Sequence, residues 1–160
     1  MRRLMLLVTV VGVFAATTSI VLAAVGGRLE GKYNVDATIK DNDFGVAEGT
    51  EATDVFRFKS PCDEGPCRKV KLDRQGGTAN AHYKSTLRKE SKGVYEGTEG
   101  PNPYDCPGSP DATFTAKHHI EITKARNGKA RKFTGTTKYK IQDCSFGSFV
   151  NYALKGVFAG

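Results

Sequence analysis

The chain has 160 residues, enough for one domain with a single core and too few for two full ones. Its 18 glycines, its lack of tryptophan and its frequent Val, Ile, Thr, Tyr and Phe outside the N-terminal stretch favour strands and turns over helices. Lys and Arg outnumber Asp and Glu by 24 to 17, a formal net charge of +7 that directs any large partner toward anionic surfaces.

Met1-Arg2-Arg3 leads into an apolar stretch from Leu4 to Ala24, with small residues around Leu22-Ala23-Ala24 and then Gly26, Gly27 and Arg28. A positive start, an apolar core and a small-residue end make an export signal, with cleavage expected near Ala24. The run approaches the roughly 20 residues that span a bilayer, so retention as an N-terminal anchor is the alternative. Either way residues 25–160 form one domain outside the cytoplasm, secreted or attached to the cell envelope.

Alternation with period two then runs through the chain. Tyr33, Val35, Ala37 and Ile39 face one way and Lys32, Asn34, Asp36, Thr38 and Lys40 the other, up to the turn Asp41-Asn42-Asp43-Phe44-Gly45. Phe56 and Phe58 belong to a second strand ending at Pro61, and Val70 and Leu72 to its return. Ala79, Ala81, Tyr83 and Leu87 share a phase in a fourth strand starting at Thr78, and Val94-Tyr95-Glu96-Gly97 is a fifth. The Gly- and Pro-rich stretch from Glu99 to Asp111 reads as a surface loop. Ala112, Phe114, Ala116, His118, Ile120 and Ile122 form the longest in-phase set, closed by Asn127-Gly128, a strong hairpin signal. Phe133, Gly135, Thr137, Tyr139 and Ile141 follow, then Val150, Tyr152, Leu154 and Phe158. Eight strands joined by short turns predict an all-β, antiparallel up-and-down barrel, with a two-sheet β-sandwich as the alternative that gives the same pattern.

Cys62, Cys67, Cys106 and Cys144 all lie in the exported part, and an even number there is expected to form two disulfides. The short spacing of Cys62 and Cys67 favours a local bridge, leaving Cys106 with Cys144; the chain-entropy contributions are about 2 and about 4 kcal/mol. A zinc site is the weaker reading, because Cys106 and Cys144 are far apart in sequence.

Gly31-Lys32-Tyr33 at the start of the first strand, together with eight strands, resembles a lipocalin-type barrel. The resemblance implies that the aromatic closes one end of the barrel beneath a basic residue of the last strand, for which Lys155 stands. Cys62-Asp63-Glu64-Gly65-Pro66-Cys67 after an aromatic strand, with a later cysteine pair, is also similar to small secreted bacterial barrel proteins of uncharacterised function. That likeness implies a barrel and export but no activity.

For chemistry, an inward set of Tyr33, Phe56, Phe58, Tyr83, Phe114, His118 and Tyr139 suits a small apolar or amphipathic ligand, or fills the lumen completely. His118 lies in the apolar phase and is expected to pair with a tyrosine hydroxyl; His82 and His119 are expected to be exposed. His118 and His119, adjacent on a strand, point to opposite faces and cannot chelate one metal together. Asp41, Asp43 and Glu48 share one turn, but without the spacing of a calcium loop. No nucleophile elbow or phosphate loop occurs, and no cofactor is implied. Lys117, Lys124, Arg126, Lys129, Arg131, Lys132, Lys138 and Lys140 crowd one hairpin. Lys132, Lys138 and Lys140 share a face there, which suits an anionic cell-surface polymer or a membrane surface. Nucleic acid is discounted, because the aromatics lie on the opposite phase from the lysines.

Overall fold

Inward apolar residues at every second position form β1 (Gly31–Asn42), β2 (Glu51–Lys59), β3 (Lys69–Gly76), β4 (Ala81–Ser91), β5 (Val94–Pro103), β6 (Thr113–Arg126), β7 (Lys129–Gln142) and β8 (Phe149–Phe158). The computed structural model describes residues 25–76 and 81–160; the leader at 1–24 and Ala79 lie outside the described residues. Each strand pairs antiparallel with the next, and β8 pairs with β1 from Tyr33 opposite Phe158 to Asn42 opposite Val150. The sheet is therefore a closed barrel rather than a sandwich, and among the described residues every strand has a neighbour on both sides.

One end of the barrel is filled. Tyr33, Phe58, Phe133 and Phe158 meet there, with the Tyr33 ring 5.3 Å from Phe58, 5.4 Å from Phe133 and 5.5 Å from Phe158 between centroids. Phe133 sits directly opposite Gly156, and its ring occupies the space that a Cβ there would need. The Tyr33 hydroxyl donates to the Ala130 carbonyl at 2.9 Å, and burial pushes its pKa up to about 12. The segment 25–30 crosses this end: Val25 N donates to Ile122 O, Arg28 N to Gly128 O, and fully buried Leu29 plugs the base. Arg28 also donates to the carbonyls of Cys62 and Asp63. Each large apolar side chain buried here contributes roughly 1.5–3 kcal/mol.

Two expectations about this part of the molecule are corrected. Lys155 is exposed on the outside of β8, because it alternates with inward Leu154 and Gly156. The cation at the closed end is Arg131 of β7, whose guanidinium carbon lies 4.5 Å from the centre of the Phe158 ring. The stretch from Glu99 is not all loop: β5 continues to Pro103 through a bulge between Glu99 and Asn102. A bulge accommodates Gly100-Pro101, since a proline there removes no regular ladder bond.

Both expected bridges are present, Cys62–Cys67 in the β2–β3 connection and Cys106–Cys144 between the β5–β6 and β7–β8 connections. Two disulfides fit an oxidising, extracytoplasmic location. Among the described residues no helix is long and apolar enough to cross a membrane.

Candidate functional site

The other end of the barrel is not filled. It holds a cavity of about 310 Å³, walled by residues that include Phe56 of β2, Tyr83 of β4, Tyr104 after β5, Phe114 of β6, Tyr139 of β7 and Tyr152 of β8. Neighbouring rings lean on one another: Tyr83 and Phe114 are 5.1 Å apart, Phe114 and Tyr139 5.6 Å, Tyr139 and Tyr152 5.7 Å. Small side chains, Ala37 and Ala52, leave the space. Phe146 and Val46 stand exposed in the connections at this rim.

Of the predicted lumen set, Phe56, Tyr83, Phe114 and Tyr139 line this cup. Tyr33 and Phe58 lie in the packed closed end. His118 is fully buried and does not line the cup.

The cup rests on a polar network that the periodicity did not reveal. Arg74 of β3 grips Glu99 of β5 with two donors, Nη2 to Oε1 at 2.9 Å and Nε to Oε2 at 3.4 Å. His118 of β6 donates from Nε2 to Glu99 Oε2 at 3.1 Å, while Nδ1 lies 2.9 Å from the Thr137 hydroxyl. The buried histidine is thus paired with a carboxylate and a threonine, not with a tyrosine hydroxyl as expected. Burial works to raise the Glu99 carboxyl, but the hydrogen bonds from His118 and Arg74 outweigh it and hold the pKa below the ordinary value. Glu99 is therefore a fixed anion.

Asp54 of β2 also lines the cup, 3.7 Å from Arg74 Nη1. Its carboxylate lies over Gly76, where a Cβ would come within 2.2 Å of Oδ1. A side chain at 76 would have to displace that carboxylate. Burial raises the Asp54 pKa, and the attraction of Arg74 offsets this only in part. The Arg74 guanidinium lies 4.6 Å from the Tyr83 ring centre and 5.4 Å from that of Tyr139, so the aromatic wall and the ionic floor form one unit. Burial pushes the Tyr139 hydroxyl well above its ordinary pKa, which leaves it a neutral hydrogen-bonding group.

Arg74, Asp54 and Glu99 escaped the sequence reading. Arg74 does continue the inward phase of Val70 and Leu72, and Asp54 that of Phe56 and Phe58; a charge at an inward position was the available signal. The Glu99 signal was hidden by the bulge that follows it.

The remaining candidates lie elsewhere. Asp43 accepts hydrogen bonds from Ser148 N, Ser148 Oγ and Phe149 N, tying the β1–β2 connection to the β7–β8 connection. Those bonds hold its carboxyl below the usual range. Asp41 faces Asn151 and Glu48 is exposed, so the three acids do not converge. His82 is exposed beside Asp73. His119, expected to be exposed, is half-buried and clamped between Glu121 and Glu96, each at 2.8 Å, and the Glu121 hydrogen bond leads in raising its pKa.

Lys132, Lys138 and Lys140 are exposed on the outer face of β7. Lys138 lies directly opposite Lys117, and Lys132 opposite Lys124. A second basic face, not apparent in the sequence, covers β2 to β4, with Lys59 opposite Lys71 and Lys69 opposite Arg88.

Compared with known proteins, the chain matches no family model and shows no significant similarity to a curated protein.

Proposed function

We propose that the protein is an exported barrel that holds a small amphipathic ligand in the cup at its open end. One observation carries this reading: large aromatics fill only the closed end, while a cavity of about 310 Å³ with an ionic floor stays open at the other. That volume sits at the small end of the range for ligand sites, which runs from about 300 to 1,000 Å³. Apolar walls around a few convergent polar groups are the usual chemistry of such sites. The described lining of the cup holds no Ser, Cys, Lys or His, and binding is the role proposed.

The test is titration of a small neutral fluorophore, such as 2-naphthol, against the wild type and Ala52→Phe. Tryptophan is absent, so the protein adds little background emission. Ala52 lines the cup yet is solvent-exposed, so the larger side chain fills the cavity without disturbing the core. Saturable binding that Ala52→Phe weakens tenfold or more supports the reading; binding that the substitution leaves unchanged sinks it.

A second reading, that the exterior contacts an anionic polymer or membrane surface, is favoured by the facing cation pairs on β6–β7 and β2–β4. Like charges directly opposite one another weaken a sheet, and an anionic partner relieves them. The expected result is retention on a polyanionic matrix that falls steeply with salt, and falls further in Lys132→Glu/Lys138→Glu/Lys140→Glu. Retention insensitive to those changes excludes β7 as the contact.

A further inference from the structure

Building on the cup reading, we propose that the ligand is a small organic cation, its ammonium group held by Asp54 within the ring of tyrosines. The polar inventory of the cup supports this. Two carboxylates, Asp54 and Glu99, face a single guanidinium, Arg74, and Arg74 commits two of its donors to Glu99. Among the described residues the second carboxylate has an ion-pair contact of 3.7 Å to Arg74 Nη1, longer than an ordinary hydrogen bond. His118, the other basic group nearby, has both ring nitrogens committed to Glu99 and Thr137. Among the described residues no lysine lines the cavity. Two carboxylates against one guanidinium leave the described polar groups of the cup with an excess of negative charge, which favours a cationic ligand over an anionic one.

The walls complete the argument. Tyr83, Tyr104, Tyr139 and Tyr152 line the space, and aromatic rings beside a carboxylate attract ammonium groups in preference to neutral ones. Arg74 already uses this attraction at one side of the cup, stacked against Tyr83 and Tyr139. The lack of a side chain at Gly76 lets the Asp54 carboxylate sit where it does, since a Cβ there would have to displace it. The volume limits the ligand to one about the size of an arylalkylamine.

The experiment compares three probes of one shape on the full chain at neutral pH: phenethylamine, 2-phenylethanol and phenylacetate, each titrated by the shifts of tyrosine ring signals in NMR. The cation is expected to bind about tenfold or more tighter than the alcohol, and the anion weakest. Asp54→Asn, nearly the same shape, is expected to remove that preference while leaving 2-phenylethanol within about twofold of its wild-type affinity. Equal affinities, or phenylacetate binding tightest, overturn the cation inference and leave the cup reading standing. If none of the three probes binds and 2-naphthol also fails, both fall together. A cation preference that survives in Asp54→Asn overturns the assignment to Asp54.

Discussion

Glu99 and Asp54 sit on opposite sides of one arginine and are predicted to affect stability in opposite directions. Glu99 is fully buried and fixed by Arg74 and His118. Removing it leaves a buried guanidinium with only the longer 3.7 Å contact to Asp54, so Glu99→Ala is expected to destabilise the fold by about 3 kcal/mol in chemical denaturation. The folded-state pKa of Glu99 is depressed, so its contribution is present above its unfolded value of 4.5 and is lost as pH falls through the folded value. Acid unfolding of the wild type is expected to begin below about pH 4.5 and to be less steep in Glu99→Gln. Asp54 has a raised pKa. Its ionised form opposes folding, with the penalty appearing as pH rises above 3.8, so Asp54→Asn is expected to raise the Tm at neutral pH. A carboxylate kept in the lumen at a cost to stability fits a binding role better than a structural one.

At the level of elements, the two disulfides do different work. The Cys62–Cys67 ring staples a single hairpin connection, whereas Cys106–Cys144 joins two connections on the rim of the cup. Asp43 adds a third rim segment through its bonds to Ser148 and Phe149. Replacing both Cys106 and Cys144 by Ser is expected to lower stability by about 4 kcal/mol, and replacing both Cys62 and Cys67 by about 2, read from urea midpoints at constant slope. The rim pair should also weaken 2-naphthol binding, while the ring pair should not.

For the whole molecule, the packed base and the hollow mouth predict unequal local stability. Backbone amides around Tyr33, Phe58 and Phe133 lie under interlocked aromatics and beneath the Leu29 plug. Strand ends at the mouth border a cavity and exposed connections. Hydrogen exchange is therefore expected to be slowest at the closed end, with mouth amides opening at lower free energy. A saturating cup ligand should slow the mouth selectively. Uniform protection from end to end would contradict this division of the barrel.

The strands themselves were legible because burial on one face leaves a two-residue rhythm: Tyr33, Val35, Ala37 and Ile39, or Phe114 to Ile122, show it without help from tertiary contacts. Cysteine spacing likewise indicated both bridges. Alternation is a one-dimensional signal, however, and a charge in an inward position reads only as an interruption of it. Closure of β1 on β8 and the meeting of Asp54, Arg74, Glu99 and His118 from four different strands depend on register across the barrel. The division of its lumen into a filled half and an open half likewise depends on which inward residues share a level. Local periodicity carries neither quantity, so the tertiary structure alone decided where the aromatics pack and where they leave a cup.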